Sequence, residues 1–182
     1  MSNKLIICGY PGIGKSSIVG LDHCIDLESS KYTQSTIPLW PELYCKTAIE
    51  LAKQDYTVFV STHSKVVRYL HAHQIELKRA GVYGPFLVYP DQKLQYQWLT
   101  KLLQRFQTDQ TSKNYRAYER AKEHWEEDIA FLDSYAPSHS YVIHDAKNYS
   151  FKNIVEELRN RTESVIVQTN LVDNELWQAK GD

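Results

Sequence analysis

Gly9-Tyr10-Pro11-Gly12-Ile13-Gly14-Lys15-Ser16 stands directly behind the apolar run Leu5-Ile6-Ile7-Cys8. The octapeptide fits G-x-x-x-x-G-K-[ST], a phosphate-binding loop, and it arrives in the context that gives that pattern its meaning. A short β-forming run feeds a glycine-rich turn, and Lys15-Ser16-Ser17-Ile18-Val19 is positioned to open a helix. Glycines let the backbone bend tightly enough for successive N–H groups to point inward at phosphate oxygens. A helix behind them adds unsatisfied N–H groups and its positive dipole end. Gly12, Ile13, Gly14, Lys15, Ser16 and Ser17 are therefore the expected nucleotide-binding set. In that set Lys15 reaches the β- and γ-phosphates and the Ser16 hydroxyl ligates magnesium. Three of the seven glycines of the chain fall in this loop, which makes an idle turn a poor alternative.

The 182 residues are read as one domain, 1–182. A chain of this length buries about 70% of its unfolded surface and needs no staples. Lys and Arg number 21 against 22 Asp and Glu, a balance that argues against a broad nucleic-acid or membrane footprint. Anionic ligands must be met by a local cluster. Cys8, Cys24 and Cys45 show no C-x-x-C spacing and read as buried thiols. The N-terminal apolar run is too short for a signal peptide or a membrane span, so the expected compartment is the cytoplasm. The oligomeric state, a homodimer included, is left open.

Beyond the loop, His23-Cys24-Ile25-Asp26-Leu27 reads as a second strand followed by Glu28-Ser29-Ser30. Ligands of open α/β sheets bind outside the carboxyl ends of the strands, which nominates Asp26, Glu28 and Ser29 as acceptor-binding residues. Pro41 starts a helix with Tyr44, Ala48, Leu51 and Ala52 on its apolar stripe, and Trp40 before it is a candidate for base stacking. Tyr56–Ser61 is the most β-rich run and is expected in the middle of the sheet. It ends in Thr62-His63-Ser64 rather than in the Asp that commonly anchors magnesium. That leaves His63 at the ligand edge, to bond a phosphate or only to tie down the loop. Pro85–Tyr89 is a further strand.

Pro90-Asp91 opens an amphipathic helix carrying Leu94, Trp98 and Leu102, which runs to about Arg105 or Phe106. The polar stretch 107–114 reads as an exposed mobile loop. A second helix then carries Tyr118, Trp125, Ile129 and Leu132 and stops before Pro137. The pair forms a hairpin whose tip, at about 105–120, holds Arg105, Lys113, Arg116 and Arg120. Such a basic tip suits a lid that closes over phosphates. Ser140–His144 is another strand, Ser150 caps a helix burying Phe151, Ile154, Val155 and Leu158, and Ser164–Thr169 reads as a last strand.

The loop Gly-Tyr-Pro-Gly-Ile-Gly-Lys-Ser resembles the G-x-P-G-x-G-K-[ST] variant of nucleoside and nucleotide monophosphate kinases of the adenylate-kinase-like group. Chain length and the helical insert between the fourth and fifth strands are similar as well, although the specific motif is confined to the loop. The resemblance implies a three-layer α/β P-loop fold with a parallel core sheet in the order 2-3-1-4-5. It also implies ATP with Mg2+ as phosphoryl donor, and a (deoxy)nucleoside monophosphate acceptor held between the second strand and the lid. Catalytic roles then fall to Lys15, Asp26, Arg116 and Arg120, with Arg105 also contacting substrate; Arg105 and Lys113 are the alternative pair for neutralising the transferring group. The Asp-Gly-x-x-Arg signature of adenylate kinase is replaced here by Ser61-Thr62-His63, so that enzyme's acceptor specificity does not carry over. The alternatives are a kinase for a nucleoside, a sugar or a polynucleotide 5′ end, and a non-catalytic ATP-binding protein. With neither D-x-x-G nor N-K-x-D present, a guanine-nucleotide switch lacks support.

Overall fold

A computed structural model describes residues 2–18, 20–32 and 39–162. Strands β1 (Leu5–Gly9), β2 (Cys24–Asp26), β3 (Thr57–Ser61), β4 (Tyr83–Pro90) and β5 (Ser140–Ile143) form one sheet in the order β2-β3-β1-β4-β5. All four pairings are parallel. Leu5, Ile6, Ile7 and Cys8 are each fully buried, and successive side chains of a strand face opposite ways. Both faces of β1 are therefore covered, as a parallel sheet requires. The covering elements are α1 (Glu42–Lys53), α2 (Ser64–Ala72), α3 (Gln74–Arg79), α4 (Gln95–Thr108), α5 (Ser112–Asp133) and α6 (151–162).

The expected apolar stripes are the ones that go inside. Ala48 and Ala52 of α1, Trp98 and Leu102 of α4, Trp125, Ile129 and Leu132 of α5, and Phe151, Ile154 and Leu158 of α6 are all buried. Ser150 caps α6 as its spacing suggests, its Oγ accepting the Asn153 N–H at 3.3 Å. Register brings the carboxyl ends of the central strands level: Gly9 pairs with Ser61 on β3 and with Val88 on β4. The glycine-rich loop therefore leaves the sheet beside Ser61, on the edge where β2 ends at Asp26. Cys8 and Cys45 are buried, Cys24 is only partly so, and all three are free thiols. Among the described residues no helix is long and apolar enough to cross a membrane.

Two expectations are overturned. Among the described residues no α-helix follows the glycine-rich loop; Lys15–Ile18 makes a single 3-10 turn. Ser17 Oγ donates back to the Gly14 carbonyl at 2.6 Å, the local competition through which serine disfavours helix. Gly20 and His23 then take positive φ values of 102° and 60°, which turn the chain into β2. Nor is 107–114 a loop: α4 runs to Thr108, α5 starts at Ser112, and only 109–111 connect them. The polar residues there are caps. Thr111 Oγ1 accepts the Asn114 N–H at 3.2 Å, and Asn114 Nδ2 donates to the Asp109 carbonyl at 2.8 Å, which leaves Asn114 buried. The strand expected at Ser164–Thr169 lies outside the described residues.

Gly84, on β4, has φ +111°, and a Cβ there would stand 2.5 Å from the Ile6 carbonyl oxygen of β1. The strand could accept a side chain only by separating from its neighbour. Gly84→Ala is expected to cost about 1–3 kcal/mol, read as a lowered denaturant midpoint; an unchanged midpoint would contradict this account of the β1–β4 contact.

Candidate functional site

The loop begins as a tight turn. Tyr10 donates its N–H to the Val88 carbonyl of β4 at 2.9 Å, and Ile13 donates its N–H back to Tyr10 at 3.3 Å. Pro11 and Gly12 occupy the two middle positions, and Gly12 has φ +87°. This is the residue pair and φ sign that a type II turn demands. A Cβ on Gly12 would come within 3.0 Å of Leu102 Cδ2 and 3.3 Å of Trp98 Nε1, so α4 presses directly on the turn. Trp98 Nε1 donates to the Pro11 carbonyl at 2.8 Å. Beside Trp98, the Tyr149 hydroxyl lies 3.3 Å from the Gly12 carbonyl and 3.1 Å from that of Ile13. Lys15 Nζ folds back onto the Gly9 carbonyl at 2.8 Å.

A cavity of about 310 Å³ opens in front of this loop. Gly12, Gly14, Lys15 and Ser16 form its floor, and Asp26, Glu28 and Ser29 supply an acidic wall. Opposite them, Lys101 and Arg105 come from α4 and Lys113 and Asn114 from α5. Tyr44 braces the edge: its hydroxyl donates to the Leu27 carbonyl at 2.8 Å and accepts the Ser61 N–H at 3.0 Å. That bridge joins the ends of β2 and β3 where the acidic segment begins.

The charges in the cavity are poised rather than neutralised. Desolvation depresses the Lys15 pKa, with Asp26 opposing. Burial raises the Asp26 carboxyl above its usual range, with Lys15 and then Lys113 pulling it back. For both groups, lost hydration outweighs their mutual attraction, an arrangement that favours a polar ligand coming between them. Burial also works to raise Glu28, but its hydrogen bond and ion pair with Lys113 prevail and hold it below the usual value.

The remaining sequence-nominated residues lie outside the cavity lining. Trp40 packs on Tyr44, with ring centroids 5.3 Å apart, and edge-on to His63 at 5.6 Å, so its partners are protein side chains. His63 caps α2, its Nδ1 accepting the Lys65 N–H at 3.3 Å. Arg120 makes a two-pronged bond to Asp128, Nε to Oδ2 at 3.0 Å and Nη2 to Oδ1 at 2.7 Å, across a kink in α5 at His124. Arg116 is exposed on α5. Of the basic residues at the hairpin tip, Arg105 and Lys113 reach the cavity.

Lys101, Trp98 and Tyr149 are site residues that sequence reasoning missed. Trp98 reads as core because it belongs to the apolar stripe, and its indole N–H carries no sequence mark of its acceptor. Tyr149 is 137 residues from the carbonyl it meets, a separation that no local pattern bridges. No protein-family model matches this sequence, and comparison with curated proteins finds no match.

Asp26 gives a direct check on these electrostatics. Its folded pKa is raised, so the folded chain holds this proton more tightly than the unfolded chain does. Stability is then full below the ordinary Asp value of about 3.8 and declines as pH rises from there through the folded pKa. Asp26→Asn removes that decline. The variant is expected to melt higher than the parent at neutral pH, with the two curves converging below the ordinary Asp value; a lower neutral melting point would refute it.

Proposed function

We propose that this protein is an ATP-dependent phosphotransferase that moves the γ-phosphoryl group to a small acceptor, with a (deoxy)nucleoside monophosphate as the leading acceptor class. The observation that carries the reading is the cavity itself. A glycine-rich, lysine-bearing loop, an acidic strand end and cations from a helical hairpin all face one space of about 310 Å³. Phosphoryl transfer asks for little covalent chemistry from the protein, only positioning and neutralisation of charge on the transferring group. The residues present match that requirement.

In this reading Lys15 leaves the Gly9 carbonyl for the phosphate chain when nucleotide arrives. The amides of Gly12 and Gly14 bind phosphate oxygens, and Lys101, Arg105 and Lys113 neutralise the charge from the opposite wall. Asp26 and Glu28 orient the acceptor, whose phosphate oxygen is the attacking atom and needs no base to free it. Arg120, bound to Asp128, shapes the hairpin instead of contacting phosphate. Among the described residues no group of three or more His, Cys, Asp or Glu side chains could hold a metal ion alone. Magnesium nevertheless fits the Ser16 hydroxyl and the Asp26 carboxylate, hard oxygens on the same cavity, because this ion is commonly held by one or two protein oxygens together with substrate phosphates and water. When bound it would neutralise phosphate charge.

The test incubates the protein with ATP, magnesium and a panel of nucleoside and deoxynucleoside monophosphates, nucleosides, sugars and a 5′-hydroxyl oligonucleotide. A phosphorylated product identifies the acceptor, whereas nucleotide binding with no product across the panel would favour a non-catalytic ATP-binding protein. Lys15→Ala is expected to lower turnover by about 10²-fold or more while leaving the fold intact; near-parental turnover would end the scheme. Arg105→Ala should reduce turnover well beyond the effect of Arg116→Ala, since only Arg105 lines the cavity, and equal effects would show that the hairpin tip is placed differently during the reaction.

A further inference from the structure

We propose that Tyr149 and Trp98, with Lys101 behind Tyr149, are positioning residues that aim the amides of the glycine-rich loop into the cavity. Three successive loop carbonyls are engaged from outside: Pro11 by Trp98 Nε1 at 2.8 Å, and Gly12 and Ile13 by the one Tyr149 hydroxyl at 3.3 Å and 3.1 Å. The peptide bonds concerned are trans, since among the described residues the cis bonds lie at Trp40-Pro41 and Gly84-Pro85. In a trans peptide the carbonyl of one residue and the N–H of the next point in opposite directions. Holding the carbonyls of 11, 12 and 13 outward therefore turns the N–H groups of 12, 13 and 14 inward. The Ile13 N–H closes the turn onto Tyr10. Among the described residues no hydrogen bond engages the N–H of Gly12 or of Gly14, and both residues line the cavity.

The loop cannot hold this arrangement alone. Gly12 and Gly14 have φ values of 87° and 102°, and without a Cβ the flanking peptides rotate at little cost. The glycines that permit the loop's shape also permit its loss, so the constraint has to come from other elements. Tyr149 provides it as the middle of a chain. Lys101 Nζ donates to its hydroxyl at 2.6 Å, and that hydroxyl donates on to the loop. An ammonium donating to the phenol oxygen polarises the O–H and strengthens its outgoing bond. Lys101 is seated by both rings, 4.5 Å from the Trp98 centroid and 4.7 Å from that of Tyr149. Burial lifts the Tyr149 pKa to about 12, so the phenol retains the proton it donates.

The functional consequence rests on the phosphotransferase reading; the effect on the loop does not. Tyr149→Phe keeps the ring beside Trp98, where the two stack with centroids 6.0 Å apart, and deletes only the hydroxyl. The test is amide NMR of the ligand-free, full-length chain for the parent, Tyr149→Phe and Lys101→Met, with melting temperatures recorded alongside. It is followed by calorimetric titration of each with inorganic tripolyphosphate and with magnesium-ATP. Tyr149→Phe is expected to broaden or double the Gly12 and Gly14 signals, leave the sheet signals unmoved, and weaken both ligands about 10-fold. Lys101→Met should broaden the same two signals to a smaller degree. Gly12 and Gly14 signals unchanged in both variants, or ligand affinities unchanged in Tyr149→Phe, would overturn the proposal. If the loop signals respond but the parent protein binds neither ligand, the positioning role stands and the phosphotransferase reading falls.

Discussion

The contact on which the site depends is the seating of Trp98 beneath the glycine-rich loop. Its side chain is fully buried, and its indole N–H finds its partner in the Pro11 carbonyl. An indole of this kind removes about 150–250 Å² from water, worth on the order of 4–6 kcal/mol before entropy is charged against it. That burial ties the hairpin to the loop far more firmly than any one hydrogen bond could. Trp125 repeats the arrangement on α5, buried against the edge of Tyr10 and donating to the Gln92 carbonyl at 3.1 Å. The base of the hairpin therefore belongs to the same core as the loop. Its tip, from Arg105 through Lys113 and Asn114, is the part that overhangs the cavity.

The single 3-10 turn behind the loop redistributes the electrostatics of the site. A full helix would contribute about half a positive charge, felt within its first turn. Lys15, Lys101, Arg105 and Lys113 each contribute a whole charge to the same cavity. Attraction for an anion here thus comes mainly from side chains carried on other elements. Amides supply direction, cations supply strength, and three of the four cations come from the α4–α5 hairpin, far from the loop in sequence.

The parts of this structure legible in the sequence are those governed by local periodicity. The apolar stripes of α1, α4, α5 and α6, the strand feeding the loop and the acids ending β2 all follow from spacing and propensity, and each is found in place. The strand order 2-3-1-4-5 follows from a resemblance instead, because pairing between strands leaves no local trace. The two failures share a cause. Ser17, Thr111 and Asn114 are short polar residues equally able to end a helix, begin one or substitute for one. Which role they take depends on side-chain hydrogen bonds, of Ser17 to Gly14, of Thr111 with Asn114 and of Asn114 to Asp109. Within the site, charge alone could not sort the basic residues of the hairpin tip. Arg105 and Arg120 are indistinguishable by composition, yet Arg105 lines the cavity while Arg120 is bound to Asp128 across the kink at His124.

The ion pair between Lys113 and Glu28 joins the hairpin tip to the segment after β2, residues 85 apart in sequence. Its members remain 49% and 30% exposed, and a pair that wet is worth about 0–1 kcal/mol. An anion that recruits Lys113 must displace Glu28, and the toll is at most about a factor of five in affinity. A polyanion making several contacts would absorb such a toll unnoticed, while a lone small anion would lose much of what it gains. The bar such a pair sets is therefore low, and it weighs on a ligand by the number of charges it brings and not by its shape.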